Sequence, residues 1–329
     1  MRILIRTFAI ALVCLCIGCK ENATNSPTMN TDKNNTTTVD AKLLYKAEAQ
    51  LGEGAFWDSA TSRFFWIDIE GKQLHIYTPL TNDNSSFPTP SRIGTVVPQS
   101  DTTAVVALED GIYIMNTSNG DLTLLSDVEQ TMTTNRFNDG KCDPNGNLWV
   151  GSMHLEQSAP EASVYKVTPT SEATKMIENV TISNGIVWTK DGSIMYYIDT
   201  PTGQIRAYDY DKASATISNM RVAVTVSTDL GFPDGMTIDE NDHLWVGLWN
   251  GNAVAQFNPI SGELISKIEV PAHNVTACAF GGPNLDKLYI TTASVDMSPE
   301  EQERFPDAGS LFVATPGVRG VKSIRFGTK

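Results

Sequence analysis

The stretch RFNDGKCDPNGNLWVG, residues 136–151, sets Arg136, Asn138 and Asp139 directly ahead of an apolar run. Asn, Asp and Gly form tight turns without any further role, because all three tolerate the backbone angles that turns need. The same residue types nonetheless return at one matching place elsewhere in the chain. GEGAFWD carries Glu53 there, SNGIVWT carries Asn184, PDGMTID carries Asp234 and VTACAFG carries Thr276. In three of the units an aspartate follows five residues later: Asp58, Asp143 and Asp239. The remaining unit matches least, with Val96 at the marked place and Asp101 beyond it. Carboxylate and amide oxygens from Glu53, Asn138, Asn184 and Asp234 suit a hard divalent ion such as Ca²⁺, Mg²⁺ or Mn²⁺. Two carboxylates meeting without such an ion would repel and be driven towards protonation. Asp110-Gly111 and Asp191-Gly192 fall outside this pattern and read as turns, and His75, His243 and His273 read as packing or surface residues.

Converging these side chains requires a repeat. Short apolar runs recur behind turn signals: FFWIDI from Phe64, AVVALEDG from Ala104, LWVGSM from Leu148, MYYIDT from Met195, LWVGLW from Leu244 and LYITTA from Leu288. Trp66, Val106, Trp149, Tyr197, Trp245 and Tyr289 are spaced about 40 to 48 residues apart, the length of one four-stranded propeller blade. Six units fill the domain, which predicts an all-β, six-bladed β-propeller. Its innermost strands line a central channel, so matching positions meet there and make a central-channel metal site. Trp66, Trp149 and Trp245 are expected to pack between blades. Cys142 and Cys278, on apolar runs, read as buried small hydrophobes. Helical periodicity is nearly absent, and the one good helix start is Ser298-Pro299-Glu300-Glu301.

The ends and the charge bound the rest. Residues 1–18 place Arg2 and Arg6 before a short apolar run that stops at Gly18-Cys19, a pattern similar to a bacterial lipoprotein signal with Cys19 as the lipidated residue. Residues 19–42 are rich in Asn and Thr, too polar to offset the entropy of ordering, and read as a tether. The propeller is expected over 43–327. This makes the protein exported and membrane-anchored, on the periplasmic side or the outer-membrane surface of a bacterium. A net charge of −14 argues against nucleic acid or anionic lipid as partner, leaving the lipid as the only membrane contact. The cysteines remaining after Cys19 are too few for a disulfide framework.

LGEGAFWD, RFNDGKCDPNGNLWVGSM, ISNGIVWTKDGSIMYYIDTPTGQIRAYDYD and PDGMTIDENDHLWVGLWNG, in that order, resemble the gluconolactonase/regucalcin (senescence marker protein) family, which includes luciferin-regenerating-like proteins. The resemblance implies a six-bladed propeller holding one divalent cation, Ca²⁺ foremost with Mg²⁺, Mn²⁺ or Zn²⁺ as alternatives, and hydrolysis of a small-molecule sugar lactone. It implies metal ligands at Glu53, Asn184 and Asp234 and substrate contacts at Arg136, Asn138 and Glu156. Asp234 is then both ligand and catalytic base. Two departures from the family pattern stand out: Ala55 after LGEG, and Ser152-Met153-His154, where His154 bears on which substrate fits. No GxSxG elbow supports a serine esterase. The second class left open is a non-catalytic propeller that binds Ca²⁺ or a sugar-like ligand at the same place.

The anchor has a direct test. Cys19→Ser should move the protein from the membrane fraction to the soluble fraction, since neither the tether nor the acidic domain offers another anchor. Continued sedimentation with membranes would instead identify the apolar run as an uncleaved anchor.

Overall fold

Short segments rich in Val, Ile, Phe, Trp and Tyr, punctuated by turns, favour antiparallel strands that bury both faces against neighbouring sheets. The computed structural model describes residues 38–328 and bears this out. Among the described residues the strands form six sheets, each a meander that runs outward from an innermost strand, the last two completed at the outer edge by strands from the start of the chain. The inner strands are Gly52–Asp58, Ile93–Pro98, Asn135–Cys142, Ser183–Trp188, Phe232–Ile238 and Asn274–Gly281. Each touches the inner strands of the blades before and after it, and the sixth touches the first, so the ring is closed. This is the predicted six-bladed β-propeller.

Closure draws on both ends of the chain. Lys42–Tyr45 forms the outermost strand of the sixth blade, antiparallel to Leu311–Ala314. Thr38–Asp40 adds a parallel strand to the outer edge of the fifth blade, opposite Leu264–Glu269. Residues 38–42, assigned to the tether by composition, therefore pair within the propeller. Edge strands need backbone partners rather than apolar side chains, so a polar sequence hides them. The signal segment, Cys19 and the rest of the tether lie outside the described residues.

Trp149 stands edge-on to Trp188 of the next blade, and Trp245 edge-on to Phe280, so both pack between blades. Trp66 stacks on His75 of its own blade and belongs to a buried cluster that includes Ala277, Tyr289 and Leu311 of the sixth blade, so it too packs at a blade boundary. The aspartates that follow the marked positions are structural. Asp143 accepts from the Trp149 and Tyr210 side chains, and Asp239 accepts from Trp245 and Gln256, while each also caps its own turn. Cys142 and Cys278 are buried and free, and burial pushes the Cys278 thiol up to about 12. The helix Pro299–Arg304 starts at Ser298 with a reciprocal capping box to Glu301, as its sequence predicts.

One local feature repeats around the ring. Every inner strand breaks its ladder with the second strand near its start, through a β-bulge. The unpaired residues are Gly54-Ala55, Gly94, Asn138-Asp139, Asn184-Gly185, Asp234-Gly235 and Thr276-Ala277. A bulge re-aims side chains out of the pleat, and here it turns them towards the axis. The second blade has a one-residue bulge at Gly94, so Val96 falls beyond it, opposite Val106, rather than at the marked place. Gly185 is needed where it stands: a Cβ there would come within 2.8 Å of the Asp234 backbone oxygen.

On the face opposite these bulges, the segment after Ala314 crosses the turns that end the inner strands. Val321 donates its N–H to Ile238, Gly320 to Leu285, Phe326 to Pro98 and Gly327 to Gly146. Arg325 clamps the buried Asp58 carboxylate with two hydrogen bonds, of 2.8 and 2.6 Å, and also reaches Asp101. Burial alone would raise the Asp58 carboxyl, but the hydrogen bonds from Arg325 and Thr61 outweigh it and hold the group below its ordinary value.

Arg325→Ala should therefore destabilise the domain by about 3 kcal/mol at neutral pH, the scale for stripping a partner from a buried carboxylate. Because the folded-state carboxyl is depressed, the clamp contributes above the unfolded value of about 4 and fades as pH falls through it. Denaturant melts across pH should show the gap between the two proteins narrowing on the acid side. A constant gap would assign the loss to the tail's packing instead.

Candidate functional site

The bulges deliver their side chains to the floor of a cavity of about 660 Å³ that opens at the end of the channel where the inner strands begin. Glu53, Arg136, Asn138, Asn184 and Asp234 all line it and are all buried. Five of the sequence-predicted residues thus converge from the first, third, fourth and fifth blades. Glu156 does not: it is exposed and off the cavity wall, although its neighbours Leu155 and Gln157 line the mouth. His154 turns away towards Glu161, at 3.9 Å, and Met153 faces the cavity in its place.

Hydrogen bonds fix the order of groups along the floor. Arg136 donates through Nη1 to the Asn138 Oδ1 at 2.7 Å. Asn138 donates through Nδ2 to the Ser183 carbonyl at 2.7 Å and to the Asn184 Oδ1 at 3.1 Å. Asn184 in turn donates to the Thr200 hydroxyl at 2.8 Å, which donates to the Pro233 carbonyl beside Asp234. The Asn184 oxygen therefore points inward with a lone pair to spare. The Asn138 amide, expected from its family resemblance to contact substrate, is engaged on both sides. It ties Arg136 to Asn184.

Glu53 and Asp234 face each other from the first and fifth blades, close enough to share a hydrogen bond. Burial, then Asp139, pushes the Glu53 carboxyl up to about 8, with the Gly54 N–H, Arg136 and Asp234 opposing the rise. Burial, then Glu53 and Asp139, raises Asp234 well above its ordinary value. Arg136 is lowered by burial to about 10, opposed chiefly by Glu70. Below the pair, Lys141 crosses the channel from the third blade to donate to the Met236 carbonyl of the fifth, at 2.8 Å.

This donor set fits a hard divalent cation. Two buried carboxylates press on each other, an amide oxygen stands beside them, and the nearest protein cation, Arg136, is occupied with Asn138. Among the described residues no three acidic, histidine or cysteine side chains form a cluster, and the Asn184 amide is a further oxygen donor on the cavity floor beside the carboxylate pair. Sequence reasoning missed Glu70, Arg92, Gln50 and Trp249 on the cavity wall. Gln50, Glu70 and Arg92 lie on connections and turns outside the marked register, whereas Trp249 ends the apolar run LWVGLW, whose last residue reads only as strand.

A closed six-bladed propeller with an oxygen-lined carboxylate site at one end of its channel defines the class of protein. The family model described as the SMP-30/gluconolactonase/LRE-like region matches residues 51–294, and the chain belongs to that family. It is 38% identical over 288 residues to "Putative sugar lactone lactonase YvrE" of Bacillus subtilis (strain 168), covering 88% of this chain and 99% of that protein. Regucalcin of Danio rerio is 32% identical, over 86% of this chain and 97% of its own length. The crystal structure of a calcium-binding protein, regucalcin, from Agrobacterium tumefaciens str. C58 superposes with a TM-score of 0.82 at 26% identity, covering 88% of this chain and 97% of that one.

The carboxylate pair makes the metal-free protein sensitive to pH. Groups raised in the folded state bind protons that the unfolded chain releases, so stability should fall as pH rises from about 4.5 towards about 8. Glu53→Gln removes one member of the pair. In chelator at pH 8 it should melt about 2–4 °C above the wild type, the shift expected for roughly 1 kcal/mol in a domain of this size. It should also gain less on adding a divalent ion. Calorimetric melts decide it, and a lower melting temperature for Glu53→Gln would remove repulsion as the cause of the shifts.

Proposed function

We propose that this chain is a divalent-cation-dependent hydrolase of sugar lactones, carried by the facing pair Glu53 and Asp234 with Asn184 at the floor of a cavity beside the Arg136 guanidinium. Glu53, Asn184 and Asp234 would hold the ion, with Ca²⁺ favoured by the calcium-binding relative and Mg²⁺, Mn²⁺ or Zn²⁺ as alternatives. A lactone is a strained cyclic ester, and such an ion supplies Lewis acidity for its carbonyl and acidifies water. The protein's own groups do the remainder. Arg136, held by Asn138, donates to the carbonyl or to hydroxyls and so orients the ring. Asp234 takes the proton of the attacking water as the oxygen joins the carbonyl carbon. The ring carbon–oxygen bond then breaks, and the same proton passes to the departing oxygen, giving the open hydroxy acid.

The name of YvrE supports the enzyme reading, and the calcium-binding regucalcin supports the second, in which the site only stores or senses Ca²⁺. The cavity favours the first, because a pure ion site needs neither 660 Å³ nor a buried arginine. We further propose that the domain is exported and tethered through Cys19, with a small-molecule lactone as its partner.

A pH-indicator assay against a panel of lactones tests the activity. EDTA should abolish turnover and a single divalent ion restore it, and undiminished turnover in metal-free protein would sink the reading. Asp234→Asn keeps an oxygen ligand of nearly the same shape but removes the base. It should still take up metal, more weakly, while kcat falls about 10²-fold or more. Near-normal kcat with metal bound would move the proton to another base, with Asp139 the nearest in the channel.

A further inference from the structure

A second set of charges stands on the cavity wall above the carboxylate pair. Arg92 leads into the second blade's inner strand, Glu70 sits on an outer turn of the first blade and Glu109 on the matching turn of the second. The Arg92 Nε donates to both oxygens of Glu70, at 2.9 and 3.0 Å, and its Nη1 donates to Glu109 at 3.0 Å. Each side chain is about a third exposed, and Glu70 and Arg92 line the cavity. Glu70 is also the strongest charge acting on Arg136, so alternating charges run from Glu109 at the rim through Arg92, Glu70 and Arg136 towards Glu53.

The turn beneath Glu70 is built to hold it. Asp68 accepts the backbone N–H groups of Gln50, Leu51 and Gly71, all at 2.9 Å. A Cβ on Gly71 would meet the Asp68 carboxylate at 2.3 Å, so the turn demands glycine. One carboxylate thus fixes both the strand leading to Glu53 and the turn that presents Glu70.

An ion pair kept only for stability would gain little at a half-open wall. Here the unused bonding capacity matters more. Each Glu70 oxygen receives one shared donor and keeps a lone pair, while the Arg92 Nη2 makes no hydrogen bond among the described residues. An acceptor beside a donor is the complement of a hydroxyl group, which is both. Glu70, Arg92 and Glu109 together carry a charge of −1, which repels carboxylate or phosphate substituents.

We propose that Glu70, held by Arg92, is a specificity-determining residue that reads hydroxyl groups on a neutral polyhydroxylated lactone and disfavours anionic or unsubstituted ones. The reading rests on the lactonase function proposed above. It gives Glu70 the hydroxyl-accepting role that sequence assigned to Glu156.

The test compares glucono-δ-lactone with δ-valerolactone, which has no hydroxyls, using full-length protein. In Glu70→Gln the ratio of kcat/KM for the hydroxylated over the bare lactone should fall about tenfold, mostly through KM, the scale of one charge-assisted hydrogen bond. Arg92→Gln, which leaves Glu70 in place but unheld, should lose part of the same ratio. A ratio unchanged in Glu70→Gln, whether both rates fall together or neither does, overturns the proposal. If the wild type opens neither lactone, the activity reading fails on its own, and calorimetry with glucono-δ-lactone decides the subsite. Binding about tenfold weaker in Glu70→Gln supports it, whereas equal affinity or no binding to the wild type overturns it.

Discussion

The inner strands of six sheets meet around one axis, and the site depends on the β-bulge that each of them carries near its start. Each bulge gives up a ladder pair near the start of its inner strand, and the freed residue turns towards the axis. Asn138, Asn184 and Asp234 occupy bulges, and Glu53 immediately precedes one. The same irregularity, repeated from blade to blade, therefore places the polar residues of the site. This explains why so many polar side chains can be buried at one point of an otherwise apolar core. The bulge leaves backbone groups free to hydrogen-bond, and those groups steady the carboxylates, as Gly54 does for Glu53.

The hydrogen-bond chain from Arg136 through Asn138, Asn184 and Thr200 to the Pro233 carbonyl runs across three blades. It couples the group that would orient a substrate to the amide that would bind an ion. Displacement of one blade would be felt at both. A buried polar network of this kind is costly unless each member is satisfied, and here every amide atom along it has a partner or faces the carboxylate pair.

What the sequence disclosed, and what it hid, follows from periodicity. Glu53, Asn138, Asn184 and Asp234 recur with the blade, so spacing alone brought them to one axis. Arg136 and Asn138 gained their substrate-contact roles only from family resemblance, and the structure adds that the Asn138 amide ties Arg136 to Asn184. Val96 was misplaced because its blade has a shorter bulge, which no spacing rule reveals. Glu156 sits in an exposed loop that no hydrogen bond of its side chain ties to the cavity. Arg92 was invisible because it lies on a connection between blades, and Glu70 because it sits on a turn within a blade that reads as a plain turn signal. Strands Thr38–Asp40 and Lys42–Tyr45 were invisible because they contribute backbone to sheet edges rather than side chains to the core.

The segment that crosses the closed face has a consequence for traffic. Gly320, Val321, Phe326 and Gly327 are bonded over the far turns and Lys141 reaches from the third blade to the fifth, while the cavity that holds the carboxylates opens at the opposite end. A neutral ring entering there meets no electrostatic barrier. On the proposed lactonase reading, a ring opened at the floor would become an acid anion, held there by Arg136 but facing Glu70 and the charge of a chain carrying −14. The acidic wall at the mouth would then favour its release, so the change of charge on ring opening would give the cavity a direction.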